Sequence, residues 1–341
     1  FGTVSSGDLD TGPLERVTPG IQLHAQTPAA EVPGRIAGME AVFANKSVIT
    51  RAMIAANPQL RLIALTATGV DNVDLAAARE ANVAVCNLRD YCTPSVVQHV
   101  FALLLALTHR LGDYQALVRG GHWSQAGQFS VFPYPIRELQ GRILGIVGYG
   151  ALGRAVARVA ESFGMTVEIA NRPGGEAVVG RRNLDEILPR LDVLSLHCPL
   201  TDATRGLIDA ARLARMKPDA VLINTARGAL VDAKALVEAL RSGRLGGAGI
   251  DVLEPEPPPA DHPLLDPAIP NLIVTPHIAW AARESRQAGA SFALRGSLNV
   301  AHVRFDDRQG VALDKSCEIS RALMIRGDLG GNVGQIVRHG T

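Results

Sequence analysis

The sequence has few aromatic residues, few cysteines and almost no net charge. Of its 341 residues, 4% are aromatic, four are cysteines, and the formal net charge is +1. A near-neutral chain without a basic stripe argues against a nucleic-acid partner. The cysteines lie far apart without metal-ligand spacing, which is typical of a protein from a reducing cytosol. We therefore expect no metal site, no nucleic-acid partner and a cytoplasmic location.

Long apolar runs and targeting patterns are also missing. The densest apolar stretch, residues 100–107, is far shorter than the ~20 residues that a membrane-spanning helix needs. The start of the chain is polar and rich in glycine, which is unlike a signal peptide. We therefore expect no membrane partner.

The sequence does contain short apolar segments that alternate with helix-forming segments. This alternation runs over residues 41–87 and again over residues 142–275. It predicts parallel sheets that helices cover on both faces. The predicted fold class is therefore α/β, with two doubly wound parallel-sheet domains. One domain spans residues 96–283, inserted in another that comprises residues 1–95 and 284–341.

A glycine-rich turn follows the first strand of the second run and opens a helix. Its Gly-x-Gly-x-x-Gly pattern consists of Gly148, Gly150 and Gly153. The first glycine permits the tight turn, the second lets a pyrophosphate approach the backbone, and the third lets the helix pack close to the strand. Backbone amides at Ala151 and Leu152 are expected to face the phosphates, because they open the helix.

The next strand ends at Asn171 and Arg172, where an acidic residue would hold the ribose hydroxyls of NAD. That acidic residue is absent. Arg172, with Arg181 and Arg182 nearby, favours NADP through its 2′-phosphate. The alternative is NAD, with Asn171 bound to the ribose and Arg172 stacked on adenine.

Four polar residues follow the later strands and suit hydride transfer to a 2-keto acid: Arg227, Asp251, Glu256 and His277. Because the carboxyl ends of parallel strands meet at one edge, we expect these side chains to share a cleft. Arg227 can grip a carboxylate and polarise a carbonyl through its forked guanidinium. His277 can give a proton to the forming alkoxide, with Glu256 holding one imidazole tautomer. Asp251 suits the carboxamide of a nicotinamide.

These motifs resemble the D-isomer-specific 2-hydroxyacid dehydrogenase family over about residues 40–290. The resemblance implies a Rossmann cofactor domain inserted in a flavodoxin-like substrate domain, and the catalytic set Arg227, Glu256 and His277. The cofactor contacts that it implies beyond the glycine turn are Asn171, Arg172, Cys198, Pro199, Thr204, Ala226 and Asp251. Backbone amides of Thr68 and Gly69, with the Arg227 and His277 side chains, are implied to bind the substrate.

Three segments, residues 67–74, 93–100 and 277–281, are similar to the glycerate dehydrogenase/hydroxypyruvate reductase branch of that family. This similarity implies reduction of hydroxypyruvate or glyoxylate to D-glycerate or glycolate. Another 2-keto acid, such as a 2-ketogluconate, and a non-catalytic nicotinamide-sensing binding protein are the alternatives.

Aromatic residues scattered over 112–140 predict an extended arm that favours a homodimer. The last segment, 301–341, has no clear apolar period and is expected to be irregular.

Overall fold

The computed structural model describes residues 4–5, 7–10, 12, 22–297 and 311–312. The chain divides into two compact units, Phe1–Arg89 with Gln287–Thr341, and Asp90–Arg286. The expectation for residues 301–341 lies outside the described residues, apart from a two-residue strand at Val311–Ala312. The helix Arg283–Ser297 includes the boundary between the units.

The first unit contains a parallel sheet of four strands in the order β1-β2-β3-β10. The strands are β1 (Ala41–Ala44), β2 (Leu62–Leu65), β3 (Ala84–Asn87) and β10 (Val311–Ala312). The helices of this unit before β3 are Val32–Ile36, Arg51–Ala55 and Leu75–Glu80, with a 3-10 turn at Ala29–Glu31. All residues of β2 and β3 are buried, as expected for the interior of a parallel sheet.

The second unit contains a parallel sheet of six strands in the order β5-β4-β6-β7-β8-β9. The strands are β4 (Ile143–Val147), β5 (Thr166–Ile169), β6 (Val193–Leu196), β7 (Val221–Asn224), β8 (Gly247–Ile250) and β9 (Leu272–Val274). Chain order reverses at β4, which lies between β5 and β6, so the sheet has a topological switch point there. The prediction of an α/β fold with two parallel-sheet domains is confirmed.

Helices cover both faces of this sheet. A core helix, Thr93–Thr108, packs with the helix Ala151–Ser162 against one face, where Leu104 is 1% exposed. The opposite face is covered by a second apolar cluster that includes Ile187, Leu236 and Leu240. Its helices are Leu184–Ile187, Ala210–Leu213 and Ala233–Arg241, with 3-10 turns at Leu188–Arg190, Gly228–Leu230 and Pro263–Leu265.

The strand register aligns the carboxyl ends of β4 and β6 to β9. Val147 pairs with Leu196, Leu196 with Asn224, and Asn224 with Ile250, which pairs with Val274. The residues that follow these strands therefore emerge side by side. We call this edge of the second unit, formed by the segments after β4 and β6 to β9, the carboxyl edge.

The prediction of an extended arm over 112–140 is wrong for its first part. Two helices, Leu111–Arg119 and His122–Gln125, precede the extended stretch. Neither helix buries a residue fully, so neither needs the apolar stripe at helical spacing from which a sequence predicts a helix. The stretch that follows exposes Phe129 and Phe132, at 95% and 81% of their surface.

No single helix among the described residues is long and apolar enough to cross a membrane. One bent pair, Thr93–Thr108 with Leu111–Arg119, passes on length and composition. The first helix of that pair is mostly buried within the second unit.

Candidate functional site

The glycine turn lies at the switch point of the six-stranded sheet. Gly148 has φ of +96°, and a Cβ there would lie 2.5 Å from the backbone nitrogen of Cys198. A Cβ on Gly153 would lie 2.2 Å from the Gly148 carbonyl oxygen. Gly150 differs, because a Cβ there would meet no atom of the described part of the chain within 4 Å. Packing thus explains two of the glycines, whereas the third leaves room beside the backbone for a ligand.

Among the residues that the structure describes, no side chain caps the amino terminus of the helix that starts after Gly150. Its first backbone N–H groups, at Ala151 and Leu152, therefore have no side-chain acceptor. An uncapped helix start beside an open glycine is a suitable place for a phosphate, since the amides and the helix dipole both favour an anion. The residues present therefore fit a dinucleotide cofactor.

The segment after β5 is a surface loop that Asn171 fastens. The Asn171 Oδ1 accepts a hydrogen bond from the Val178 amide at 3.0 Å, and the Asn171 amide donates to the Arg182 carbonyl at 2.7 Å. Arg172 is exposed at the start of the loop. Nothing in the sequence around Asn171 marks this role in holding the loop.

Thr204 is buried and holds the segment that begins at Cys198. Its hydroxyl donates to the Pro199 carbonyl at 2.8 Å and accepts from the Thr201 amide at 2.7 Å. The hydroxyl therefore shapes this loop beside the glycine turn. Burial raises the pKa of the Cys198 thiol to about 11, so Cys198 is an uncharged thiol that lines the turn.

His197 follows β6 and begins this loop. Its Nε2 lies 2.9 Å from the Ser195 Oγ, and burial lowers its pKa to about 4. The imidazole is therefore neutral near pH 7.

Arg227 lies in a turn that Asn224 organises at the end of β7. The Asn224 Nδ2 donates to the Arg227 carbonyl at 2.8 Å, and its Oδ1 accepts from the Ala226 amide at 3.0 Å. A Cβ on Gly228 would lie 2.2 Å from the backbone of Leu253, so the turn sits tightly on the neighbouring segment. Asn224, which the sequence analysis did not single out, fixes the backbone from which the guanidinium extends.

Asp251 is fully buried after β8, and both of its carboxylate oxygens accept hydrogen bonds. The Oδ1 accepts from the Thr275 hydroxyl at 2.5 Å and from the Ile278 amide at 2.9 Å, and the Oδ2 accepts from the Ala279 amide at 2.9 Å. The His99 Nε2 lies 3.4 Å from the Oδ1. Burial on its own would raise the pKa of Asp251, but these hydrogen bonds outweigh it and hold the pKa below its ordinary value. Asp251 is therefore a buried anion that holds the turn after β9.

His277 lies in that turn and points its imidazole at Glu256. The His277 Nδ1 and the Glu256 Oε2 are 2.6 Å apart, and the Glu256 Oε1 accepts from the Leu253 amide at 3.1 Å. His277 has φ of +57°, in the left-handed region that costs a non-glycine residue free energy. Its amide donates to the Asp251 carbonyl at 2.8 Å, and its carbonyl accepts from the Trp280 Nε1 at 2.9 Å.

The carboxyl edge thus carries the glycine turn, Arg227, Asp251, Glu256 and His277, as their places after successive strands predicted. Nothing in the sequence pattern marked His99 and Thr275, which contact Asp251, because their proximity depends on tertiary packing. No group of three or more His, Cys, Asp or Glu in the described part of the chain could hold a metal ion.

Thr68 and Gly69 lie in the first unit, after β2. The Asn87 Nδ2 donates to the Thr68 carbonyl at 2.6 Å, and the Asn72 Nδ2 donates to the Ser47 carbonyl at 2.8 Å. Two asparagines therefore fasten the loops that follow β1 and β2.

Comparison with known proteins gives a consistent result. Residues 101–279 match the model of the D-isomer specific 2-hydroxyacid dehydrogenase, NAD binding domain. A glycerate dehydrogenase of Methylorubrum extorquens is 44% identical over 75% of this chain and 81% of that protein. A hydroxypyruvate reductase of Blautia hydrogenotrophica is 36% identical over 83% and 89%, respectively.

A solved structure of an NADPH-dependent glyoxylate/hydroxypyruvate reductase from Sinorhizobium meliloti, in complex with NADP and malonate, has a TM-score of 0.71. It is 30% identical, over 84% of this chain and 89% of that one. The chain belongs to the D-isomer-specific 2-hydroxyacid dehydrogenase family. The family resemblance expected from the sequence motifs is confirmed.

We predict that Gly150→Ala and Gly153→Ala both weaken cofactor binding but differ in stability. In Gly150→Ala the new methyl fills the space left for the phosphates, so the cofactor dissociation constant rises about tenfold or more, while the thermal midpoint stays that of the wild type. In Gly153→Ala the methyl overlaps the Gly148 carbonyl, so the protein also loses about 1–3 kcal/mol of unfolding free energy.

Cofactor titration by fluorescence and thermal unfolding measure the two effects. Wild-type cofactor affinity in Gly150→Ala would contradict the assignment of this turn to the cofactor.

Proposed function

We propose that this protein is a nicotinamide-dependent reductase of hydroxypyruvate or glyoxylate, forming D-glycerate or glycolate. The observation that carries the proposal is the 2.6 Å contact between His277 and Glu256, on the same sheet edge as the open glycine turn. The names and identities of the relatives support the substrate class. In this proposal residues 96–283 form the cofactor domain, and residues 1–95 plus 284–341 form the substrate domain.

The cofactor, when bound, would supply the hydride that reaches the keto carbon. The residues that would hold it are Gly148, Gly150, Ala151, Leu152, Gly153, Asn171, Arg172, Cys198, Pro199, Thr204, Ala226 and Asp251. For Thr204 and Asp251 the hydrogen bonds described above support an indirect role, since their polar atoms already bind protein groups.

His277 would act as the general acid and base. Since its Nδ1 binds Glu256, the Nε2 is the nitrogen that would give a proton to the substrate oxygen and take it back in the reverse reaction. Glu256 is oriented by the Leu253 amide and would fix the tautomer and stabilise the imidazolium. Arg227 would bind the carboxylate and polarise the carbonyl, with Thr68 and Gly69 as further carboxylate donors.

NADP is the cofactor that we propose over NAD. Arg172 is exposed at the start of its loop, and the Asn171 Oδ1 is occupied by the Val178 amide, so it is poorly placed to accept from a ribose hydroxyl. In the described part of the chain Cys92 and Cys198 are buried and form no disulfide, which supports the cytoplasm as the compartment.

We predict that His277→Ala removes catalysis while the cofactor still binds. Absorbance of the reduced nicotinamide, followed with hydroxypyruvate and with glyoxylate, should show kcat reduced by about 10²–10⁴-fold. His109→Ala, at the exposed end of the core helix, is the matched control and should behave as wild type.

Turnover by His277→Ala within threefold of wild type would contradict the assigned role. Wild-type protein that binds the cofactor but reduces neither acid, nor a 2-ketogluconate, would instead indicate a nicotinamide-sensing protein.

We predict that Arg172→Ala discriminates between the two cofactors. Loss of a charge-assisted contact to the 2′-phosphate should lower kcat/KM for NADPH by about 10- to 100-fold and leave kcat/KM for NADH unchanged. Arg158→Ala, an exposed arginine on the helix Ala151–Ser162, is the control. Equal effects of Arg172→Ala on both cofactors would refute the preference for NADP.

A homodimer formed through the arm is the assembly that we propose. Phe129 and Phe132 are almost fully exposed within one short stretch, which is unusual for a monomer surface. Sedimentation should give twice the 36.0 kDa chain mass, and Phe129→Ser with Phe132→Ser should shift it towards the monomer. Val179→Ser, at a fully exposed valine elsewhere, is the control. A monomeric wild type at micromolar concentration would overturn the proposal.

A further inference from the structure

His99 is a partly buried histidine of the core helix that the mechanism above does not use. Its side chain is 18% exposed, and its Nε2 lies 3.0 Å from the Thr275 Oγ1 and 3.4 Å from the Asp251 Oδ1. It therefore lies beside the carboxylate that holds the turn containing His277.

The hydrogen bonds fix which atom carries the proton. The Thr275 hydroxyl donates its only proton to the Asp251 Oδ1 at 2.5 Å, so its lone pairs are left to accept. The His99 Nε2 is therefore the donor, shared between the Thr275 Oγ1 and the Asp251 Oδ1. His99 thus donates a hydrogen bond to a buried anion, which needs protein donors in place of the water that it has lost.

The core helix grips the same turn at a second point. The Ser95 hydroxyl donates to the Ala279 carbonyl at 2.6 Å and accepts from the Ala282 amide at 3.2 Å. Ser95 and His99 are four residues apart, so both lie on one helix face. One face of the helix therefore holds the turn after β9 at two points. Ser95 binds the backbone of the turn, and His99 contacts Asp251, which itself binds the turn.

The effect of this arrangement reaches the imidazole of His277. Asp251 holds the turn through the Ile278 and Ala279 amides, and its carbonyl accepts from the His277 amide. His277 has a left-handed backbone, which only such surrounding contacts can maintain. Movement of the Asp251 carboxylate would therefore change the direction in which the His277 Nε2 points.

We propose that His99 is a positioning residue for the reduction, acting through Thr275 and Asp251 to hold the His277 backbone. The inference rests on the proposed function for its kinetic consequence, although the contact network stands without it. A misplacement of about 1 Å in a catalytic group costs on the order of 100-fold in rate.

The kinetic test compares His99→Leu with His99→Gln, whose amide can still donate. His99→Leu should lower kcat by about 10- to 100-fold and leave the cofactor KM within threefold of wild type. His99→Gln should recover kcat to within about fivefold of wild type. His109→Leu makes the same replacement at the exposed end of the helix and should leave kcat unchanged.

A second pair of variants keeps the test informative where His99→Leu does not fold. Thr275→Val removes the hydroxyl that links His99 to Asp251 with little change in volume, and Thr275→Ser keeps it. Thr275→Val should lower kcat, and Thr275→Ser should not. In the double variant the two losses should not add, because both act through one carboxylate.

Trp280 gives a readout that does not depend on turnover. The sequence has two tryptophans, so in a Trp123→Phe background Trp280 alone reports on the turn, where its Nε1 donates to the His277 carbonyl. Adding His99→Leu or Thr275→Val should shift its emission and raise its accessibility to quencher, and adding His109→Leu should do neither.

Unchanged kcat together with unchanged Trp280 emission in folded His99→Leu and Thr275→Val would overturn the proposal. If the wild type reduces no 2-keto acid, the proposed function fails, and the Trp280 emission alone then decides whether His99 holds the turn.

Discussion

The buried carboxylate of Asp251 is the interaction on which the carboxyl edge depends. A fully buried anion is tolerated only when protein donors replace the water that it has lost. Those donors come from β9's end and from the turn that follows, with His99 of the core helix beside them. Because one charge recruits donors from separate segments, it fixes the turn of His277 relative to the sheet. The depressed pKa keeps the carboxylate ionised, so the anchor persists across the pH range in which a histidine titrates.

Strand register provides the second constraint. The carboxyl ends of β4 and β6 to β9 align, so the open glycine turn and the segments that carry Arg227 and His277 lie along one edge of the sheet. At the switch point, Gly148 must pass within contact of Cys198, and no side chain fits there. Polar residues then fix the backbone locally. Asn224, which ends β7, binds the Arg227 carbonyl, and Thr204 binds the Pro199 carbonyl in the loop after β6. The buried strands and the helices that cover them are mostly apolar, and the polar residues of the candidate site lie in the segments that follow the strands.

Much of this could be predicted from the sequence, for a physical reason. Gly148 has a positive φ, and Gly153 would clash with the Gly148 carbonyl five positions earlier (153 − 148), so a pattern of that kind is visible in one segment. The placement of Arg227, Asp251 and His277 at one edge followed from the alternation of strands and helices. By contrast, the partners of Asp251 include His99, 152 positions earlier (251 − 99), and no local pattern records that proximity. The sequence assigns Asn171 and Thr204 to the cofactor, but it does not show that their side chains also bind nearby backbone groups. The helix Leu111–Arg119 was missed because it buries no apolar face.

His277 and Glu256 differ in how firmly they are held and in how much of the side chain is exposed to solvent. The backbone of His277 adopts a left-handed conformation that costs on the order of 1 kcal/mol, and its carbonyl and amide are both bound. Glu256 is more exposed, with 32% of its side chain accessible, and is oriented by the Leu253 amide and by the imidazole itself. A proton-transferring group must keep one nitrogen directed at its substrate while its charge changes. A backbone anchored to a permanently buried anion holds that direction, and a partly solvated carboxylate accommodates the change of charge at lower cost than a buried one. In the proposed mechanism the two acidic residues therefore have separate tasks, Asp251 for geometry and Glu256 for the proton balance of the imidazole.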